Sequence, residues 1–116
     1  MIRGMMIEDC IHLLRSDKPD VHGEFEYTPQ SPELRCWFVD QEGRIVRDAA
    51  GQDAAISGEL YLVKEISIDD KVVYHGYEYA VVTKIPLKSS LTGEVLCWKY
   101  RVARRRPYNE KQVKIG

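Results

Sequence analysis

Between Leu60 and Val102 the chain reads LYLVKEISIDDKVVYHGYEYAVVTKIPLKSSLTGEVLCWKYRV, with apolar and polar residues alternating at period two. The breaks in that alternation fall at Asp69-Asp70, at His75-Gly76 and between Ser89-Ser90 and Gly93. Successive side chains of a strand point to opposite faces, so each segment offers one face for burial. Period-two segments joined by short Asp, Gly and Ser turns describe an antiparallel meander, the usual wall of a small β-barrel. The expected fold is therefore all-β: a small antiparallel barrel of about six strands.

Within that wall, Leu60 and Leu62 face one way and Tyr61 and Val63 the other. Ile66 and Ile68 lead into the Asp69-Asp70 turn, which delivers Val72, Val73 and Tyr74. His75-Gly76 reverses the chain, glycine supplying the positive φ that a two-residue hairpin turn wants. Tyr77, Tyr79, Val81, Thr83 and Ile85 then alternate with Glu78, Ala80, Val82 and Lys84 in one long strand that Pro86 should end. The last strand sets Leu96, Trp98, Tyr100 and Val102 on the core face, against Val95, Cys97, Lys99 and Arg101.

Upstream, residues 5–15 fit an opening strand, although Met6, Cys10, Leu13 and Leu14 also fall near helical spacing. Short apolar runs are ambiguous by periodicity, and the β character of the rest favours a strand. Three prolines and a glycine within residues 17–32 mark a loop, with a short extended piece at Phe25–Tyr27. Residues 33–39 (ELRCWFV) form a second strand, Leu34, Cys36 and Phe38 opposing Arg35, Trp37 and Val39. Asp40–Ser57 follows, polar and charged, with only Ile45-Val46 as a brief apolar pair. A connector this long with so little to bury is uncommon in a compact domain and is usually functional or disordered. Its Ala-rich half could extend the strand at Glu59–Val63, leaving a protruding hairpin tipped near Arg44–Gly51.

A chain of 116 residues makes one domain with a core of its own. The expected division is a barrel over 1–103, with loop 40–57 projecting, and a basic C-terminal tail over 104–116. No apolar run approaches the roughly 18 residues of a membrane span. The opening residues are too short and too soon acidic for a secretory signal. The three cysteines are odd in number and far apart, which argues against a disulfide framework. Net charge is −1. Residues 1–98, however, hold 10 Lys/Arg against 17 Asp/Glu, and residues 99–116 hold 7 against one. An acidic body with a basic end suggests that Arg104, Arg105 and Arg106 reach for something negative, either phosphates or an acidic face of a neighbouring copy.

The signs of chemistry are few. Cys10 and His12 share a strand face and would make half a metal site, but no C-x-x-C or H-x-x-x-H pair accompanies them. The expectation is no metal and no cofactor, with the cysteines as small core residues. There is no G-x-S-x-G and no Gly-rich phosphate loop, and Asp69-Asp70 sits where a turn wants Asp. No enzyme is expected. Trp98 and Tyr100 precede the arginines, as in grooves that stack single strands, yet alternation assigns both to the core. The acidic body also opposes a phosphate groove.

The run that begins at Pro32, PELRCWFVDQEGRIVRDAAGQDAAISGELYLVKEISIDDKVVYHGYEYAVVTKIPL, resembles the small head-completion (head-closure, or stopper) proteins of long-tailed phages. The likeness rests on an aromatic strand and on the charged loop Gly43-Arg44-Ile45-Val46-Arg47-Asp48. It also rests on the hairpin formed by Ile66–Val72 and Gly76–Val81. It covers about 34–102; where the family usually has glycine, this chain has Asp69. The resemblance implies a barrel that assembles as a homo-oligomeric ring in the virion neck, between portal and adaptor proteins and the tail, after synthesis in the host cytoplasm. It implies that Asp40–Ser57 projects into a channel holding packaged double-stranded DNA, with Gly43, Arg44, Ile45, Val46, Arg47, Asp48, Gln52 and Asp53 in the gating loop. The alternatives are another neck or tail-terminator barrel, or a free SH3-like or OB-like module that binds nucleic acid or peptides.

Overall fold

The computed structural model describes residues 6–109. Its elements are β1 (Glu8–Arg15), β2 (Tyr27–Pro29), β3 (Leu34–Arg47), β4 (Asp53–Leu62), β5 (Lys71–Tyr74), β6 (Tyr77–Lys88) and β7 (Val95–Pro107). All pair antiparallel in one sheet of order β2-β1-β3-β4-β7-β6-β5. Because β1 also pairs with β5, six of the seven strands close into a barrel-like ring, and β2 is an addition on β1. The opening segment is thus a strand rather than a helix.

The alternation read from the sequence builds the core. Cys36, Leu60, Leu62, Val72, Tyr100 and Val102 are buried together, with Leu34, Phe38, Val81 and Trp98 packed against them. Tyr100 is the largest fully buried side chain among the described residues. Its hydroxyl accepts the Ile66 N–H at 2.8 Å, and burial pushes its pKa up to about 12. Each such apolar side chain contributes on the order of 1.5–3 kcal/mol. The β5–β6 turn places both His75 and Gly76 at positive φ, 49° and 81°, the pair of values a two-residue hairpin requires.

Four expectations need correction. Asp40–Ser57 is not an open loop but a hairpin, as its Ala-rich half suggests; its turn is residues 48–52, shorter than the expected tip at Arg44–Gly51. Pro86 does not end β6, which continues to Lys88; β5 pairs with β6 only as far as Ala80, and an open edge accommodates proline. Arg104–Arg106 are not tail residues, because β7 runs through them to Pro107 beside β6. The part of the expected tail after Asn109 lies outside the described residues. Strict alternation also fails at the ends of β6 and β7. Glu78 and Tyr79 are both buried beside the shift at Tyr77–Tyr79. Val82 is the extra residue at Val81–Thr83, and Leu96, exposed beside buried Cys97, is the extra residue opposite Leu87–Lys88. An extra residue in one strand reverses the faces beyond it.

Candidate functional site

The expected gating residues lie on the distal halves of β3 and β4, which make a two-stranded ribbon, and in the turn that joins them, where Asp48 and Gln52 sit. Arg44 opposes Ile56, Ile45 opposes Ala55, Val46 opposes Ala54 and Arg47 opposes Asp53. The ribbon starts at a register break between Asp40 and Arg44, where Gly43 takes φ 81°. A side chain at Gly43 would meet open space but would be strained by that backbone. Asp48 staples the tip: its Oδ1 accepts the N–H groups of Ala50 and Gln52, each at 2.9 Å. Arg47 donates to the Gly51 carbonyl at 3.0 Å.

These residues divide by exposure. Val46 is buried and packs with Ile56, Val82, Ala103 and Ala54 in a second, smaller core. Arg44, Arg47, Gln52 and Asp53 are exposed, and Ile45 is 61% exposed. The ribbon is therefore not free along its whole length. Its apolar face rests on β6 and β7, and its tip borders a groove with Ile68, Asp69 and Arg105.

The three arginines also divide. Arg104 donates its backbone N–H to Ser57 Oγ at 2.9 Å, and its guanidinium lies 3.6 Å from Glu42. Arg106 donates to Glu78 at 3.2 Å. Among the described residues no carboxylate pairs with Arg105, which is exposed between two grooves. Two of the three are thus tied within the chain, to partners on other strands.

Sequence reasoning misses three buried carboxylates. Glu59 is approached by Arg44 at 3.7 Å and by Lys99 and Arg101 at 3.5 Å each. Glu78 is held between Lys71 and Arg106. Asp70, read as a turn residue, accepts the Arg15 N–H and pairs with His12 at 2.7 Å. Buried charges persist only when paired and hydrogen-bonded. One signal was visible: Glu78 stands between Tyr77 and Tyr79, and Glu59 directly precedes Leu60. The side chains that pair with them come from other strands, which period alone does not bring together.

Cys10 and His12 serve different neighbours, Cys36 and Asp70. The contact with Cys36, with burial added, raises the Cys10 thiol well above its ordinary range. Near the β5–β6 turn, Tyr74 Oη and His75 both bond Glu8 at 2.7 Å. The Tyr74 bond, helped by His75, holds the Glu8 carboxyl below its usual value.

Among known proteins, no family model matches the chain, and no curated protein matches it.

Proposed function

We propose that the chain is a structural subunit of a phage neck: a head-completion (stopper) protein that assembles as a ring between portal or adaptor and tail. On this reading it resides in the virion, helps retain packaged double-stranded DNA and offers the tail an attachment surface. The observation that carries the proposal is the β3–β4 ribbon, because it coincides with the segment to which the resemblance assigns channel closure. Its exposed positions hold charges of both signs, Arg44, Arg47 and Asp53. Its root is fixed by Val46 and Ile56 on Val82 and Ala103.

Facing ribbons would pair these charges across the channel. Exposed ion pairs contribute less than about 1 kcal/mol each, so a ring of them is firm in sum and individually reversible. Opening would then move a formed ribbon rather than order a loop. The test follows from the register: Val46 opposes Ala54, so replacing residues 47–53 with Asn-Gly shortens the ribbon and keeps its pairing. Phage carrying that replacement should package DNA and then lose it from the heads. Heads that retain DNA as well as wild type would overturn the gate.

One observation favours the free-module reading. Trp37 and Tyr61 stack with centroids 4.8 Å apart on a face shared with Lys99 and Arg101. Both cations, however, contact Glu59, which reduces their attraction for phosphate. Salt-sensitive binding of single-stranded DNA, lost on Lys99→Ala with Arg101→Ala, would support that reading against the neck.

A further inference from the structure

Where β3, the β5–β6 turn and β7 meet, a cavity of about 220 Å³ is walled by Phe38, Tyr74, Tyr77 and Tyr79. Phe38 stacks on Tyr74 at 4.6 Å, and Tyr79 closes against them at 5.5 and 6.2 Å. These contacts hold the walls in place before any ligand arrives. Asp40 and Glu42 line the same cavity, and both are exposed. Ring faces carry negative charge density, so aromatic walls with two carboxylates select a cation.

The chain's own Arg104 reports that chemistry. Its guanidinium lies 5.3 Å from the centre of the Tyr77 ring and 3.6 Å from Glu42, with the side chain still 45% exposed. It fills the site only in part. Asp40 accepts the Glu42 N–H at 3.0 Å, and among the described residues no cation pairs with it. His75 also lines the cavity, but it is engaged with Glu8, so the lining sets two carboxylates against the one guanidinium of Arg104 and leaves Asp40 for a second cationic group.

We propose that this cavity is a docking site for a basic side chain, and that its occupant is Arg105 of a second copy of the chain. Arg105 is exposed, and among the described residues no carboxylate lies within ion-pair distance of it, although Asp48, Asp69 and Glu24 line the grooves beside it. Adjacent to Arg104 on β7, it points to the opposite face, where it lines two grooves with Asp48, Asp69, Glu24 and Lys71 rather than the cavity. One copy thus carries acceptor and donor on different surfaces. Contacts of that kind are heterologous, joining each copy to a different patch of the next. The contact would serve the ring of the preceding proposal, but its chemistry requires only self-association, so it can fail while the neck reading survives.

The experiment is sedimentation of the purified protein over a concentration series at low and high salt. The variants are Arg105→Ala and the double change Asp40→Asn with Glu42→Gln, which keeps the Asp40 acceptor for the Glu42 N–H. Thermal melts confirm that each is folded. Wild type should form species larger than dimers at low salt, and each variant should associate at least about tenfold more weakly. An equimolar mixture of the two variants should form dimers and stop there, because each keeps one half of the contact. A wild type that stays monomeric throughout, or variants that associate like wild type, would overturn the proposal. If arginine amide shifts the Tyr77 and Tyr79 resonances of a protein that never self-associates, the cavity belongs to another partner's cation and the second-copy assignment is lost.

Discussion

The closed body and the β3–β4 ribbon share the same two strands, yet different forces hold them. In the body, β3 and β4 contribute Cys36, Leu60 and Leu62 to a core that Tyr100 and Val102 complete. In the ribbon they contribute Val46 and Ile56 to a cluster of four buried residues. Beyond the strand pairing, ion contacts add to this: Arg44 to Glu59 at 3.7 Å and Glu42 to Arg104 at 3.6 Å. Apolar burial does not depend on charge screening, whereas salt weakens the Glu42–Arg104 pair, exposed on both sides, and to a smaller degree Arg44–Glu59, whose carboxylate is buried. One strand can thus pass from a salt-insensitive region to a salt-sensitive one. The passage falls near Gly58, where the pairing of β4 with β7 ends.

The largest expected effect sets the two regions against each other. Leu60 is 1% exposed and Ile56 2%, so burial alone does not separate them. Leu60→Ala should cost about 2–5 kcal/mol and lower the unfolding midpoint of the whole domain. Ile56→Ala removes a similar side chain from a much smaller cluster. Its loss should appear as faster amide exchange in residues 44–47 and 53–56, with a much smaller shift in the global midpoint. Equal shifts of the midpoint would make ribbon and body a single cooperative unit, and the contrast between them would fail.

Gly58 tests the junction itself. A Cβ there would stand 2.3 Å from Phe38 Cζ and 2.8 Å from the Val39 carbonyl oxygen. The Phe38 ring could swing aside only by leaving its stack on Tyr74, and the carbonyl belongs to the paired backbone. Gly58→Ala should therefore cost about 1–3 kcal/mol through overpacking and alter the near-ultraviolet signal of the Phe38–Tyr74 cluster. A neutral Gly58→Ala would mean that the strand can part from Phe38 freely at this point.

What the sequence reveals follows the same division. Leu60, Leu62, Tyr100 and Val102 are legible because a body strand repeats its face every second residue, and turn residues bound each run. The tip between Arg44 and Gly51 is approached as well, since Ala-rich sequence can continue a strand. The burial of Val46 and Ile56 is not legible, because their partners Val82 and Ala103 belong to β6 and β7 and form a cluster separate from the main core. Arg104–Arg106 read as a tail because a run of like charges suggests solvent. Glu42 and Glu78, which draw Arg104 and Arg106 onto the sheet, are far away in sequence. The aromatic cavity escapes notice for a similar reason. Tyr74, Tyr77 and Tyr79 are each visible as strand residues, but Phe38 and the two acids come from β3, and only ring closure through β1 and β5 brings that strand around.

The smallest effect is the most informative about the ribbon. Arg44 is half exposed and sits 3.7 Å from Glu59, while Lys99 and Arg101 approach the same carboxylate. Removing Arg44 leaves the buried Glu59 charge with two cations, so Arg44→Ala should cost less than about 1 kcal/mol of global stability. Its consequence should be local. In wild type, amide exchange of the ribbon should quicken modestly as salt is raised, because the half-exposed Arg44 is screened while the buried Glu59 is screened less. In Arg44→Ala the ribbon should start at the faster rate, and salt should change it less. Exchange that is equally salt-dependent in both proteins would show that Arg44 does not latch the ribbon, leaving Val46 and Ile56 to hold its root.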